Sequence, residues 1–250
     1  MTLRASFIDR PIAHRGLHDV AANCAENSTK AFAAAIAGNY GIELDVQLSQ
    51  DGQAIVFHDY DLGRLTDQAG AVAQRTAQEL SRIPLKHDGD PIPTLQDVLA
   101  QVAGRVPLLI EIKDQDGALG PNIGALEMAT ARALKGYAGD HAVMSFNPHS
   151  VAKMAELLPH VPRGIVTSAY TADDWPTIPQ ATRDRLRDIP DFDATGSCFI
   201  SHEADDLDRP RVAELKEGGA TILCWTIKSA QQEAAARRVV HNVTFEQYLA

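Results

Sequence analysis

Four short segments carry the groups that could do chemistry. In "PIAHRG" (11–16) His14 and Arg15 follow a brief apolar run; in "GIELDVQLS" (41–49) Glu43 and Asp45 stand two apart. "VFHD" (56–59) supplies His58, and "LLIEIK" (108–113) places Glu111 two residues before Lys113. Residues two apart on a strand share a face, so Glu43 and Asp45 point one way while Ile42, Leu44 and Val46 point the other. Two carboxylates side by side repel and lose hydration, so they need a cation or a shared proton. Hard oxygen donors of this kind favour Mg2+ or Ca2+, and Glu111 offers a third. The competing reading is a solvated edge strand; the repeat of the pattern at Glu111 and Lys113 argues for the divalent cation.

His14 and His58 both end strand-like runs and flank the acidic pair. Two histidines beside a divalent cation suit acid–base chemistry on a phosphodiester, one taking a proton from the attacking oxygen and one giving a proton to the departing alkoxide. Arg15 and Lys113 would hold non-bridging phosphate oxygens, with the cation stabilising charge in the transition state. His18, His87, His141, His149, His160 and His241 read as structural.

These residues need a frame that brings strand ends together. The apolar runs predict eight strands, at 11–14, 41–47, 107–113, 141–146, 163–168, 197–202, 220–227 and 239–245. A hairpin return over 54–59, through Asp51-Gly52, ends in His58-Asp59. Helices are expected over 27–38, capped by Asn27 or Ser28; from Thr94 with Asp97 as a capping box; after Pro121; and from Asn147-Pro148 to before Pro159. Two more follow near 209–217, with Asp208 as cap, and near 229–238, with Ser229 and Gln232 as a capping box. Strands alternating with helices indicate an α/β fold, a TIM (β/α)8 barrel, as one domain over 1–250 with a small irregular insertion at about 60–93. Active sites of such barrels gather at the C-terminal ends of the strands, where the polar residues above fall. An open doubly wound sheet is the alternative, and no GxGxxG follows the first strand to favour it.

Composition narrows the partners. The 250 residues are 45% hydrophobic with a formal net charge of −10, enough apolar content for a core and too acidic for broad nucleic-acid binding. An anionic substrate would need local cations or a metal. Three scattered cysteines form no metal or disulfide framework. With no signal-peptide pattern and no membrane-length apolar run, the expectation is a cytoplasmic protein without stable membrane anchoring. Nothing in the sequence specifies an oligomeric state.

The ordered set "AHRG", "ENS", "ELDVQLSQDG", "VFHD", "IPTLQDVL", "LLIEIK", "SF" and "CWTI", from residue 11 to about 227, resembles the glycerophosphodiester phosphodiesterase family. The resemblance implies a TIM barrel with a small insertion after the His-Asp strand, and divalent-cation-dependent hydrolysis of small glycerophosphodiesters to sn-glycerol 3-phosphate and an alcohol. It implies His14 and His58 as the catalytic pair, Glu43, Asp45 and Glu111 as metal ligands, and Arg15 and Lys113 as phosphate contacts. Phe146 and Trp225 would form an apolar wall against the glycerol carbons. Glu26-Asn27 would orient the loop after the first strand, unless Asn27 is only a helix cap, and His202 is a further substrate-contact candidate. "RVVHNVTFEQYLA" departs from the family's usual "GVDGIITD", with Glu246 near the usual aspartate. The short insertion disfavours a lipid platform. The rival readings are a lysophospholipase D-like activity, a non-catalytic phosphate-ligand binding protein, and an amidohydrolase barrel, whose multiple-histidine motif is missing.

Overall fold

The structure is a computed structural model describing residues 1–250. Its strands are β1 (Ile12–Ala13), β2 (Gly41–Leu48), β3 (Ala54–Val56), β4 (Leu108–Ile112), β5 (His141–Ser145), β6 (Arg163–Thr167), β7 (Phe199–Glu203), β8 (Thr221–Ile227) and β9 (Asn242–Phe245). All but β3 pair in parallel in chain order, and β9 pairs back to β1, closing an eight-stranded TIM-type barrel. β3 lies antiparallel to β2 as an added strand. The helices are α1 (Thr29–Ala37), α2 (Ala77–Leu80), α3 (Leu95–Val102), α4 (Ala125–Leu134), α5 (Pro148–Leu157), α6 (Gln180–Arg187), α7 (Pro210–Glu217) and α8 (Ala230–Ala236). None is long and apolar enough to cross a membrane.

The period-two alternation of the strands separates the two cores. Ile42, Leu44 and Val46 of β2, with Leu108, Ile110 and Ile112 of β4, pack outward into a cluster of 37 buried residues shared with the helices. The opposite faces fill the barrel: Ile12, Leu109, Ala142, Met144, Val166, Phe199 and Leu223 form an inner cluster with Leu3 and Phe7 of the N-terminal segment. Continuing each inner row two or four residues toward the C-terminal end of its strand gives His14, Glu111, Lys113, Phe146, Ser168, Ser201, Glu203 and Trp225; the inward row of β9 gives Thr244 and Glu246. The barrel is thus apolar below and polar at its upper mouth, because each inner row changes character at its end.

Residues 60–93 leave the barrel after β3 and carry only short elements, among them α2. Phe57, Leu62, Leu65, Val72, Leu80, Leu85 and Ile92 give this insertion a small core of its own, with Ile55 of β3.

Several expectations need correcting. The hairpin return ends at Val56, so His58 and Asp59 lie in the turn beyond the strand rather than on it. The closing strand is Asn242–Phe245, shorter than 239–245. Pro121 does not open a helix: the backbone N–H groups of Gly120 and Asn122 bond to Asp116, holding a loop, and α4 starts at Ala125 with Glu127 accepting from Gly124 N–H. Asp208 is not a cap; α7 begins at Pro210 with no side-chain cap. Ser229 does cap α8, but the Gln232 side chain accepts from Lys228 N–H rather than from Ser229. Ser28, not Asn27, caps α1. α6 was not expected at all: in "QATRDRLR" only Leu186 is buried, too little apolar patterning to signal a helix.

Candidate active site

Register sets the acidic group. Asp45 of β2 is the direct neighbour of Glu111 of β4, and Glu43 lies two residues below Asp45 on the same inward face. All three carboxylates are buried, with one oxygen of each within 4.8 Å of the others. At that distance two like charges repel by about 3.5 kcal/mol for an effective dielectric of about 20.

Two cations offset part of this charge. Lys113 Nζ lies 2.8 Å from Glu111 and 3.4 Å from Asp45, and Arg15 Nε lies 3.4 Å from Asp45. Burial acts to raise the Asp45 pKa, but the charges of His58, Lys113 and Arg15 and a hydrogen bond from Asn27 outweigh it and hold the carboxyl below its usual range. Glu43 is left over. Burial, together with the charges of Asp45 and Glu111, pushes its carboxyl well above the usual value, even though it accepts the Arg15 backbone N–H at 2.9 Å. Three convergent oxygens with one uncompensated charge fit a hard divalent cation.

The loop after β1 is shaped to deliver these contacts. Arg15 and Gly16 both adopt left-handed backbone, with φ of 53° and 79°. A Cβ at Gly16 would stand 2.9 Å from that of Ala31, so glycine lets this turn press onto α1. Asn27, also left-handed at φ 55°, donates from Nδ2 to Asp45 at 3.0 Å. It therefore orients an acidic group of the site.

Each candidate histidine is backed by a carboxylate. His14 Nδ1 lies 2.7 Å from Glu246 Oε2, and His58 Nδ1 lies 2.6 Å from Asp59 Oδ1. Burial lowers the His14 pKa, with Arg15 acting in the same direction, and the Glu246 carboxylate offsets this only in part. The hydrogen bond from His14, with His18 and Lys228 close by, holds the Glu246 carboxyl far down against the opposing effect of burial. A neutral His14 with its Nδ1–H on Glu246 presents Nε2 as an acceptor.

Arg64, from the insertion, ties the two halves together. Its guanidinium donates to both oxygens of Glu26 at 2.8 Å, and to Asp59 Oδ2 at 2.5 Å and Oδ1 at 3.0 Å. Glu26 in turn accepts from Arg15 Nη1 at 2.8 Å. A continuous chain Arg15–Glu26–Arg64–Asp59–His58 results. Burial opposes ionisation of Glu26, yet its two arginine partners bring its pKa down to about 2.

His14, Arg15, Glu43, His58, Glu111, Lys113, Phe146 and Trp225 all line one pocket of about 80 Å³, with Asp45 directly behind. The residues expected as catalytic, metal-ligating, phosphate-binding and apolar-wall groups thus lie together, whereas the further candidate His202 does not. The same wall holds Ser201 and Thr244, whose buried hydroxyls make no hydrogen bond within the protein; the Nε of Arg15 makes none either, though it lies near Asp45. Sequence reading missed both hydroxyls; their signal was the inward row of β7 and β9. His202 is not at the pocket. It is fully buried, with Nδ1 2.7 Å from Thr167 Oγ1 and Nε2 3.1 Å from the Asp206 carbonyl, a structural arrangement. His18, read as structural, lies 3.5 Å from Glu246, beside His14.

The pocket sets hard oxygen donors, two cations and two carboxylate-backed imidazoles at the C-terminal mouth of a parallel barrel, where enzymes of this architecture carry their sites. Comparison with known proteins gives the family. The sequence model of the glycerophosphoryl diester phosphodiesterase family matches residues 14–244, and the chain belongs to that family of enzymes. It is 29% identical over 235 residues to the YhdW protein of Bacillus subtilis, covering 90% of this chain and 88% of that one. It is 33% identical over 174 residues to the glycerophosphodiester phosphodiesterase of Caldanaerobacter subterraneus subsp. tengcongensis, covering 66% and 69%. The fold superposes with a TM-score of 0.78 on an Oleispira antarctica phosphodiesterase solved with the product sn-glycerol-3-phosphate, at 23% identity over 98% of this chain and 96% of that one.

Proposed function

We propose that the protein hydrolyses small, water-soluble glycerophosphodiesters to sn-glycerol 3-phosphate and an alcohol with the help of a divalent cation, Mg2+ or Ca2+. The observation that carries this reading is the convergence of Glu43, Asp45 and Glu111 within 4.8 Å, in a barrel mouth shared with His14 and His58. The product bound to the Oleispira relative is in accord with it. When bound by the three carboxylates, the cation would supply electrostatic stabilisation of charge building on the phosphoryl oxygens.

The chain's own residues do the rest. Arg15 and Lys113 bind the non-bridging oxygens; Lys113, whose pKa rises under Glu111 and Asp45 despite burial, stays charged. His14 Nε2 takes the proton from the attacking oxygen, whether of water or of the substrate's own hydroxyl, and Glu246 stabilises the resulting imidazolium. His58, held by Asp59, gives its proton to the departing alkoxide. Phe146 and Trp225 wall the pocket against the glycerol carbons, and Ser201 and Thr244 offer free hydroxyls to the polar atoms between. The test is enzymatic release of sn-glycerol 3-phosphate from glycerophosphodiesters by metal-loaded protein. Release supports the reading; none from any diester refutes it.

A further inference from the structure

The small catalytic pocket opens into a cavity of about 590 Å³, and the two share His58, Glu111, Lys113, Phe146 and Trp225. Resting on the diesterase reading above, we propose that this cavity is the subsite of the leaving alcohol and that it selects a cationic one, an alcohol bearing an ammonium group. His58, assigned to protonate the alkoxide, stands at the junction, so the group it releases faces this cavity. A second cavity of about 710 Å³, beyond Glu246, shares no lining residue with the catalytic pocket and offers the substrate no such continuity.

The walls are aromatic. Phe146 lies between Trp175 and Trp225, with ring centroids 4.9 and 5.6 Å away, and Tyr60 closes one side through its hydroxyl, which donates to the Asp114 carbonyl at 2.7 Å. Such rings attract ammonium groups through their electron-rich faces.

The free charge in the cavity is negative. Asp59 is neutralised by Arg64, and Asp114 is used by the backbone N–H groups of Asp116, Gly117 and Leu119 and by Asn147. Glu203 and Asp174 have no cationic partner. Glu203 accepts only the Ala169 N–H, at 2.9 Å through Oε2, and Asp174 accepts only from Thr171, through Oδ2. The one lysine lining the cavity, Lys113, is held by Glu111 and Asp45. An ammonium therefore finds two unpaired carboxylates and two indole rings, a neutral alcohol gains little, and an anionic one meets repulsion.

The test compares kcat/KM for three probes on metal-loaded protein: glycerophosphocholine, neutral glycerophosphoglycerol and glycerophosphoglycolate, whose head group carries a carboxylate and no ammonium. The choline diester is expected to lead by about tenfold or more. Glu203→Gln keeps an oxygen for the Ala169 N–H, and exposed Asp174→Asn leaves packing untouched; each should shrink the choline-to-glycerol ratio severalfold, mainly through KM. Equal turnover of the three probes by the native protein overturns the inference and leaves the diesterase reading standing. So does an equal proportional loss on all three in Glu203→Gln, the result expected if that wall served the fold or the shared glycerol end. No turnover of any diester overturns both.

Discussion

The Nδ1 of His14 lies 2.7 Å from Oε2 of Glu246, joining the residue that follows the first strand of the barrel to the residue that follows its last. Lys228 at 3.1 Å and His18 at 3.5 Å steady the same carboxylate. A carboxylate behind an imidazole fixes its tautomer and ring direction. Glu246→Gln should therefore lower kcat by about 10- to 100-fold with little change in KM, in line with other outer-shell substitutions. Steady-state kinetics on a diester checks this; a KM effect with kcat intact would place Glu246 in binding instead.

His14→Ala and His58→Ala should each abolish turnover while circular dichroism and melting temperature stay near native values, since both side chains lie at the mouth and outside the apolar clusters. Native-like turnover in either variant removes that histidine from the mechanism.

Arg64 is expected to act through its partners. Arg64→Met should cut kcat by roughly tenfold, and the loss should be smaller in an Asp59→Asn background, because part of the arginine's effect runs through Asp59 and the rest through Glu26. Additive losses in the double variant would contradict the chain of contacts.

Acid should expose the contribution of Glu26. Its folded pKa of about 2 lies below the unfolded value of 4.5. Its ionised form therefore stabilises the fold fully above about pH 4.5 and progressively less as pH falls toward 2. The contribution is about 3 kcal/mol at neutral pH and falls to roughly half or less near pH 3. Urea unfolding of native protein and Glu26→Gln at pH 7 and pH 3 should show the gap between them narrowing on acidification. A constant gap would show that charge is not its source.

The sequence made the acidic group legible because a strand's period of two is a local property: Glu43 and Asp45 announce a shared face without any knowledge of neighbours. That Glu111 stands beside Asp45 follows once parallel pairing is assumed. Glu246 was harder. Asn242, Thr244 and Glu246 form an inward row with few apolar residues, and only pairing of β9 with β1 and β8 shows where that row points. Arg64 was invisible for the same reason: its two carboxylate partners are 38 and 5 residues away, and no local pattern links an insertion to the loop after β1. The helix start expected at Pro121 failed where loop hydrogen bonding overrode a local signal, whereas the helix expected near 209–217 is in place and only its cap, assigned to Asp208, is absent.

Glu43 separates charge repulsion from metal affinity. Removing its charge in Glu43→Gln should raise the melting temperature of the chelated protein, by relieving the repulsion from Asp45 and Glu111, and should weaken stabilisation by added Mg2+ or Ca2+. Thermal melts with chelator and with excess cation check both signs.

The most direct measurement follows metal occupancy and turnover together in thoroughly stripped protein. The account predicts one divalent-cation site by calorimetry, sn-glycerol 3-phosphate release that rises in step with its filling, and loss of both in Asp45→Asn. Full turnover by the stripped protein, or cation binding unaffected by that substitution, would contradict it.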